Sequence, residues 1–212
     1  EVYADENRNQ LITKFHTLRQ QTLKPEGHPT IALSDYVAPK SSGVKDYVGA
    51  FALTAGQGID SRVEEFEKNH DDYSSIMLKA LADRLAEAFA ELMHHRVRTD
   101  LWGYAVDEVL TNDQMIHEEY RGIRPAPGYP ACPAHEVKKD LLRVIGSEDI
   151  GMTLTESMAM NPASSVSGFY LAHPQARYFN VGKLSTDQIE DLAQRRGESI
   201  DDVRRQLSSS LD

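Results

Sequence analysis

The sequence predicts an α+β fold: a mainly antiparallel, twisted sheet flanked by helices, in one continuous domain over residues 1–212. Three observations carry this. A long amphipathic helical pattern starts at Asp72. Several short strand patterns neighbour one another instead of alternating with helices, as a parallel sheet would require. No internal repeat or low-complexity tract divides the chain.

The elements follow in order. Residues 7–23 read as a helix, because Leu11, Ile12, Phe15 and Leu18 recur at helical spacing and Pro25 and Gly27 end the run. Thr30 to Val37 and Tyr47 to Leu53 read as strands about an Ala38–Gly43 turn. From Asp72, one apolar stripe holds Ile76, Met77, Ala80, Leu81, Leu85, Ala88, Phe89, Leu92 and Met93. Lys79, Asp83, Arg84, Glu87 and Glu91 lie opposite it, so the stripe is expected to pack inward. Thr111 and Gln114 have capping-box spacing and start a short helix toward Tyr120. Pro133 precedes a helix with Val137, Leu141, Val144 and Ile145 on one side and Gly146 as its stop. Met152, Leu154, Met158 and Met160 alternate with small or polar residues at strand period. Val166 to His173 and Tyr178 to Val181 are further strands. Ser185 with Gln188, and Ser199 with Asp202, start two last helices.

Composition narrows the function. The 212 residues suffice for a sizeable core, with 40% hydrophobic and 26% charged residues. A formal net charge of −10 disfavours nucleic acid and anionic membranes, which ask for clustered Lys and Arg. A cationic ligand or partner fits better. The one cysteine, Cys132, suits a reducing cytoplasm. No apolar run reaches transmembrane length. The chain opens on Glu1 with strand-like Val2 and Tyr3, which suggests a piece of a longer polypeptide.

The most unusual stretch is Arg124-Pro125-Ala126-Pro127-Gly128-Tyr129-Pro130, with three prolines in seven residues. Prolines fix φ and remove amide donors, so the loop is stiff and rich in carbonyl acceptors. Gly128 allows close approach, Arg124 can grip a carboxylate, and Tyr129 can cover an apolar or cationic face. A rigid surface connector is the plainer reading of the same residues. Asp83 and Glu87 share a helical face, as an acid/base pair or, with Arg84 and Lys79, as a surface charge network. His94 and His95 point apart on a helix, and Cys132 with His135 falls short of four converging ligands, so no metal site is expected. Cys132 has no base beside it in sequence, which makes a nucleophile a weak reading. His117 reads as a surface residue, and no phosphate loop or nucleophile elbow is present.

The run Gly122 to Pro130, with Pro133 and His135 after it, resembles the signature loop of the activation domain of cobalamin-dependent methionine synthase. The helix from Asp71 to Glu91 is similar to that family too, as are Leu154-Thr155-Glu156-Ser157, Ser165-Val166-Ser167-Gly168 and Val37-Ala38-Pro39-Lys40. The similarity covers essentially the whole chain. It implies a domain that binds S-adenosylmethionine so that an oxidised cobalamin can be reduced and remethylated. By position, Arg124 would bind the ligand's carboxylate. The main chain near Ala126, with Gly128 and Tyr129, would hold the adenine or ribose. Tyr178 and Phe179 would complete the pocket, although plain strand packing also explains them. Glu87 and Glu118 would place negative charge near the ligand, although a solvated helix face also explains them. Asp83 and His135 would face the cobalamin-binding domain of the same polypeptide, which holds that cofactor. A reductase such as flavodoxin would supply the electron. The family's domain begins upstream of Glu1, where an acidic residue helps hold the ligand's amino group, so this chain is expected to hold most of the pocket. Two rivals stand beside this reading: an independent hydrolase or methyltransferase using Asp83, Glu87 or Cys132, and an acidic interaction module that binds no small molecule.

Overall fold

The computed structural model describes residues 1–211. The chain is α+β, and it forms two compact units. The first comprises Glu1–Gly49, Arg121–Asp140 and the chain from Phe169 onward; the second comprises Ala50–Tyr120 and Leu141–Gly168. The strands pair two by two among the described residues, with β-ladders that are antiparallel in two of the three pairs.

In the first unit, β1 (Val2–Tyr3) pairs antiparallel with β2 (Leu11–Thr13). The helix expected over residues 7–23 is absent. Arg8 takes φ 58°, off any helical path, and Thr13, Thr17 and Thr22 are stiff β-branched residues. Leu11 and Ile12 stay exposed, while Phe15 meets Phe169 edge to face at 4.8 Å. The expected strand from Thr30 is also replaced, by a single bridge at Ala32 and a 3-10 turn over Leu33–Tyr36. The Asp35 carboxylate accepts from the Ala32 amide at 2.9 Å and so closes the turn. Arg19 grips the same carboxylate in two bonds of 2.6 and 2.7 Å, which holds Asp35 below the usual carboxylate range.

Two hydrophobic clusters fill this unit. One gathers Leu18, Val181 and Leu184 with the buried faces of α5 (Thr186–Arg196) and α6 (Ile200–Gln206). The other gathers Ile31, Leu33, Tyr36, Ile123, Ala131, Cys132 and Leu171. α6 starts as its spacing predicts, with Ser199 Oγ accepting from the Asp202 amide at 3.1 Å. At α5 the Ser185 hydroxyl turns to the Asp187 carboxylate instead, so the expected capping box does not form. Tyr178 to Val181 joins no strand ladder; the Val181 amide donates to Pro130 O at 2.9 Å. α4 (Val137–Ile145) runs as predicted, and Gly146 ends it in the left-handed region at φ 66°.

β3 (Gly49–Thr54) pairs with β6 (Ser165–Tyr170), and the second unit takes Ala50–Thr54 and Ser165–Gly168 of them. The strand-period run at Met152 resolves into a small hairpin, β4 (Thr153–Leu154) antiparallel to β5 (Met160–Asn161). α1 (Asp60–Lys68), rich in charge and burying Val63, was not expected. α3 (Asn112–Ile116) starts at Thr111 with the predicted reciprocal cap and stops short of Tyr120.

The long helix α2 (Asp72–Arg96) begins where expected but turns a different face inward. Its buried residues are Ser75, Ala82, Ala86, Ala90 and His94. Ile76, Leu81, Leu85, Phe89 and Leu92 are exposed, between 43% and 68%. The small residues let neighbouring backbone approach closely, and a stripe of bulky residues would hold it off. A π-helical turn, Val97–Leu101, continues α2. Within it Arg98, 1% exposed, bonds Glu108 at 2.6 Å and lies 4.5 Å over the Tyr120 ring.

Two expected outcomes follow from this packing. Arg98→Ala should cost about 3–5 kcal/mol, because it removes the buried cation of the pair with Glu108; an unchanged denaturant midpoint would show that the pair carries no weight. Burial pushes the Cys132 thiol up to about 12, so alkylation by iodoacetamide should require prior unfolding. Rapid labelling of the native protein would contradict this.

Candidate functional site

The signature loop lies in the first unit and is tied down at both ends. Ile123 exchanges backbone bonds of 3.0 Å with Leu171 in both directions. The Phe169 amide donates to Pro125 O at 2.9 Å, and Arg121 Nε donates to Ala172 O at 3.1 Å. At the far end, Tyr129 N donates to Ala126 O, and Gly128 N and Cys132 O close a tight turn at 2.7 Å. The Arg124 amide donates to the Tyr178 hydroxyl at 3.0 Å. These bonds compensate for what the prolines lack: the loop's amides are few, and outside groups use its carbonyls.

Gly128 sits at φ 97°, where a side chain is strained, and a Cβ there would come within 2.3 Å of His135 Cε1. The glycine is therefore needed twice, for its dihedral and for the imidazole against it. A cavity of about 320 Å³ opens beside the loop, lined by Gly128, Tyr129, His135, Asn180, Lys183 and Ser210 among others. Tyr129 is 61% exposed and stands out from the loop, available to cover a bound group.

The residues singled out in the sequence fall into two sets. Arg124, Ala126, Gly128, Tyr129, Tyr178, Phe179 and His135 share the first unit. Tyr178 holds the main chain of Arg124, and Phe179 packs against both hydrophobic clusters, so packing accounts for much of its environment. Asp83, Glu87 and Glu118 belong to the second unit. Asp83 accepts from Ser164 Oγ at 2.7 Å, which ties one of its oxygens into the fold. Glu87 is exposed on α2, and Glu118 is exposed at φ 57° after α3. Cys132, in a hydrophobic cluster with its thiol pushed to about 12, is unsuited to nucleophilic work. Among the described residues, no group of three or more His, Cys, Asp or Glu side chains converges as a metal site would need. Among the described residues, no helix is long and apolar enough to cross a membrane.

Sequence reading passed over Lys138. It is 6% exposed, and its ammonium lies 2.9 Å from His135 Nδ1. The signal was available, because a histidine and a lysine three apart at a helix start share a face.

Comparison with known proteins adds two findings. A solved structure, the crystal structure of the MetH reactivation domain bound to AdoHcy, is 52% identical with a TM-score of 0.95. The match covers 100% of this chain and 65% of that one. The family described as "Vitamin B12 dependent methionine synthase, activation domain" matches residues 1–197, and the chain with its signature loop belongs to that family.

Proposed function

We propose that this chain binds S-adenosylmethionine and serves the reductive remethylation of cobalamin in a methionine synthase. The observation that carries this is the 52% identical structure with AdoHcy bound, matched along the whole chain. S-adenosylhomocysteine is what remains of S-adenosylmethionine once its methyl group has gone, so a fold that holds one has the contacts for most of the other.

The residues present suit the ligand's chemistry. It carries a carboxylate, an ammonium, a sulfonium and an adenosine. Arg124 would pair with the carboxylate, and its backbone is already fixed through Tyr178. The main chain near Ala126, with Gly128 and Tyr129, would hold the adenine or ribose. Tyr178 and Phe179 would close the pocket. Glu87 and Glu118 would supply negative charge against the cationic groups, in keeping with the chain's acidic balance.

Cobalamin would be held by a neighbouring domain of the same polypeptide and supplies the reduced metal that accepts the methyl group. Asp83 and His135 are the residues we assign to that domain's approach, and flavodoxin or an equivalent reductase would deliver the electron. This chain's own work is to bind and orient, and to hold the methyl group in line. It needs no general acid or base, because a sulfonium already leaves readily. The synthase's overall reaction makes methionine, and a cytoplasmic setting agrees with a single buried thiol.

Calorimetric titration with S-adenosylmethionine should give saturable heat and a thermal shift; the absence of both would sink the reading. Arg124→Ala should weaken binding about 10- to 100-fold, as loss of a charge-assisted pair does, with little change in melting temperature. Unchanged affinity would remove Arg124 from the site.

A further inference from the structure

We infer that Lys138 is a positioning residue for His135: its buried ammonium donates to Nδ1 and holds the imidazole as the neutral Nε2–H tautomer, seated on Gly128 of the loop. The two side chains meet because residues 135–138 form the turn that opens α4, where the Lys138 amide donates to His135 O at 3.0 Å. Lys138 is 6% exposed, and a buried ammonium requires acceptors. His135 Nδ1, at 2.9 Å, is one.

The chemistry leaves one arrangement. An ammonium only donates, so Nδ1 must offer its lone pair, and the ring proton then sits on Nε2. An imidazolium would point a second N–H at the ammonium, two donors and two positive charges face to face. The reverse pairing, Nδ1–H to a neutral amine, would need Lys138 to discharge; burial pushes it that way and the Glu136 carboxylate opposes, but a lysine starts far above neutral and keeps its proton. Among the described residues, the other charged or titratable groups toward the ring are Glu136 on its own stretch, Tyr129 on the loop and Lys183, which shares the adjoining cavity. Burial and the Lys138 charge both push His135 toward its neutral form, and Glu136 opposes them more weakly.

The ring's seat follows from the same bond. A Cβ on Gly128 would meet His135 Cε1, Nδ1 and Nε2 at 2.3, 2.8 and 3.0 Å, so the imidazole lies across the glycine itself. A ring flipped about its bond to Cβ would surrender the Lys138 contact. Lys138 thus fixes the support beneath the turn at Gly128. Its consequence for ligand affinity rests on the proposed S-adenosylmethionine reading; the tautomer does not.

Nitrogen-resolved NMR of the His135 ring tests the inference directly on the unaltered protein. The expected spectrum, at a pH of about 8 where the ring is neutral, has Nδ1 unprotonated and Nε2 protonated. A protonated Nδ1 would overturn the assignment without any variant. Lys138→Met keeps a buried apolar stem and removes the donor. It should move the His135 titration midpoint upward and weaken S-adenosylmethionine severalfold while the melting temperature stays close to that of the parent. An unmoved midpoint refutes the positioning role, and a moved midpoint with unmoved affinity refutes the link to the loop. If the parent protein shows the expected ring nitrogens yet binds no S-adenosylmethionine, the binding proposal falls and the tautomer assignment stands.

Discussion

The signature loop depends on a deficit. Pro125, Pro127 and Pro130 contribute carbonyls but no amide donors, so the loop cannot form a ladder of its own. Other parts of the first unit must supply donors: the Phe169 amide reaches Pro125 O, and the Val181 amide reaches Pro130 O. Each donor comes from a segment already anchored by buried side chains, Leu171 on one side and Val181 with Leu184 on the other. The loop's stiffness thus arises from the fold as much as from proline. A loop fixed this way loses little entropy when a ligand arrives, which is what a binding element requires.

The same economy explains Tyr178. Its hydroxyl accepts from the Arg124 amide, the first backbone donor before two prolines in close succession. With that amide satisfied, the Arg124 side chain departs from a fixed point. A guanidinium on a fixed backbone offers its donors with little reorganisation, the property that separates a binding arginine from a solvated one.

How far this was legible in the sequence follows the same physics. α2, α4 and α6 begin where their caps and spacing say, because those signals are local. Residues 7–23 failed because apolar spacing alone cannot see a partner strand, and β1 offers Leu11–Thr13 a ladder that outcompetes a short helix. Thr30 to Val37 failed because the Asp35 carboxylate closes a turn on Ala32. The stripe on α2 was identified correctly as apolar and wrongly as the buried face: bulk argued for one side, and the small Ala82, Ala86 and Ala90 are buried on the other. At the loop, sequence identified Arg124, Gly128 and Tyr129 by their rarity together. It could not show that Gly128 is pressed by His135, a contact seven residues away through a turn.

Buried charge appears in each unit with a different resolution. Arg98 is buried beside Glu108 and Tyr120, an opposite charge and an aromatic face that together offset its desolvation. Lys138 is buried with its ammonium on His135 Nδ1, a neutral lone pair, and with the Glu136 carboxylate favouring its charge. A neutral acceptor repays less of a burial cost than a carboxylate would, so the bond to His135 does more to orient the ring than to offset the burial of the charge. What the charge does at this neighbour is decide which ring nitrogen carries the proton. The neighbour is the one imidazole that lies against Gly128, and so the cost of burying Lys138 is borne at the turn on which the proposed ligand contacts depend.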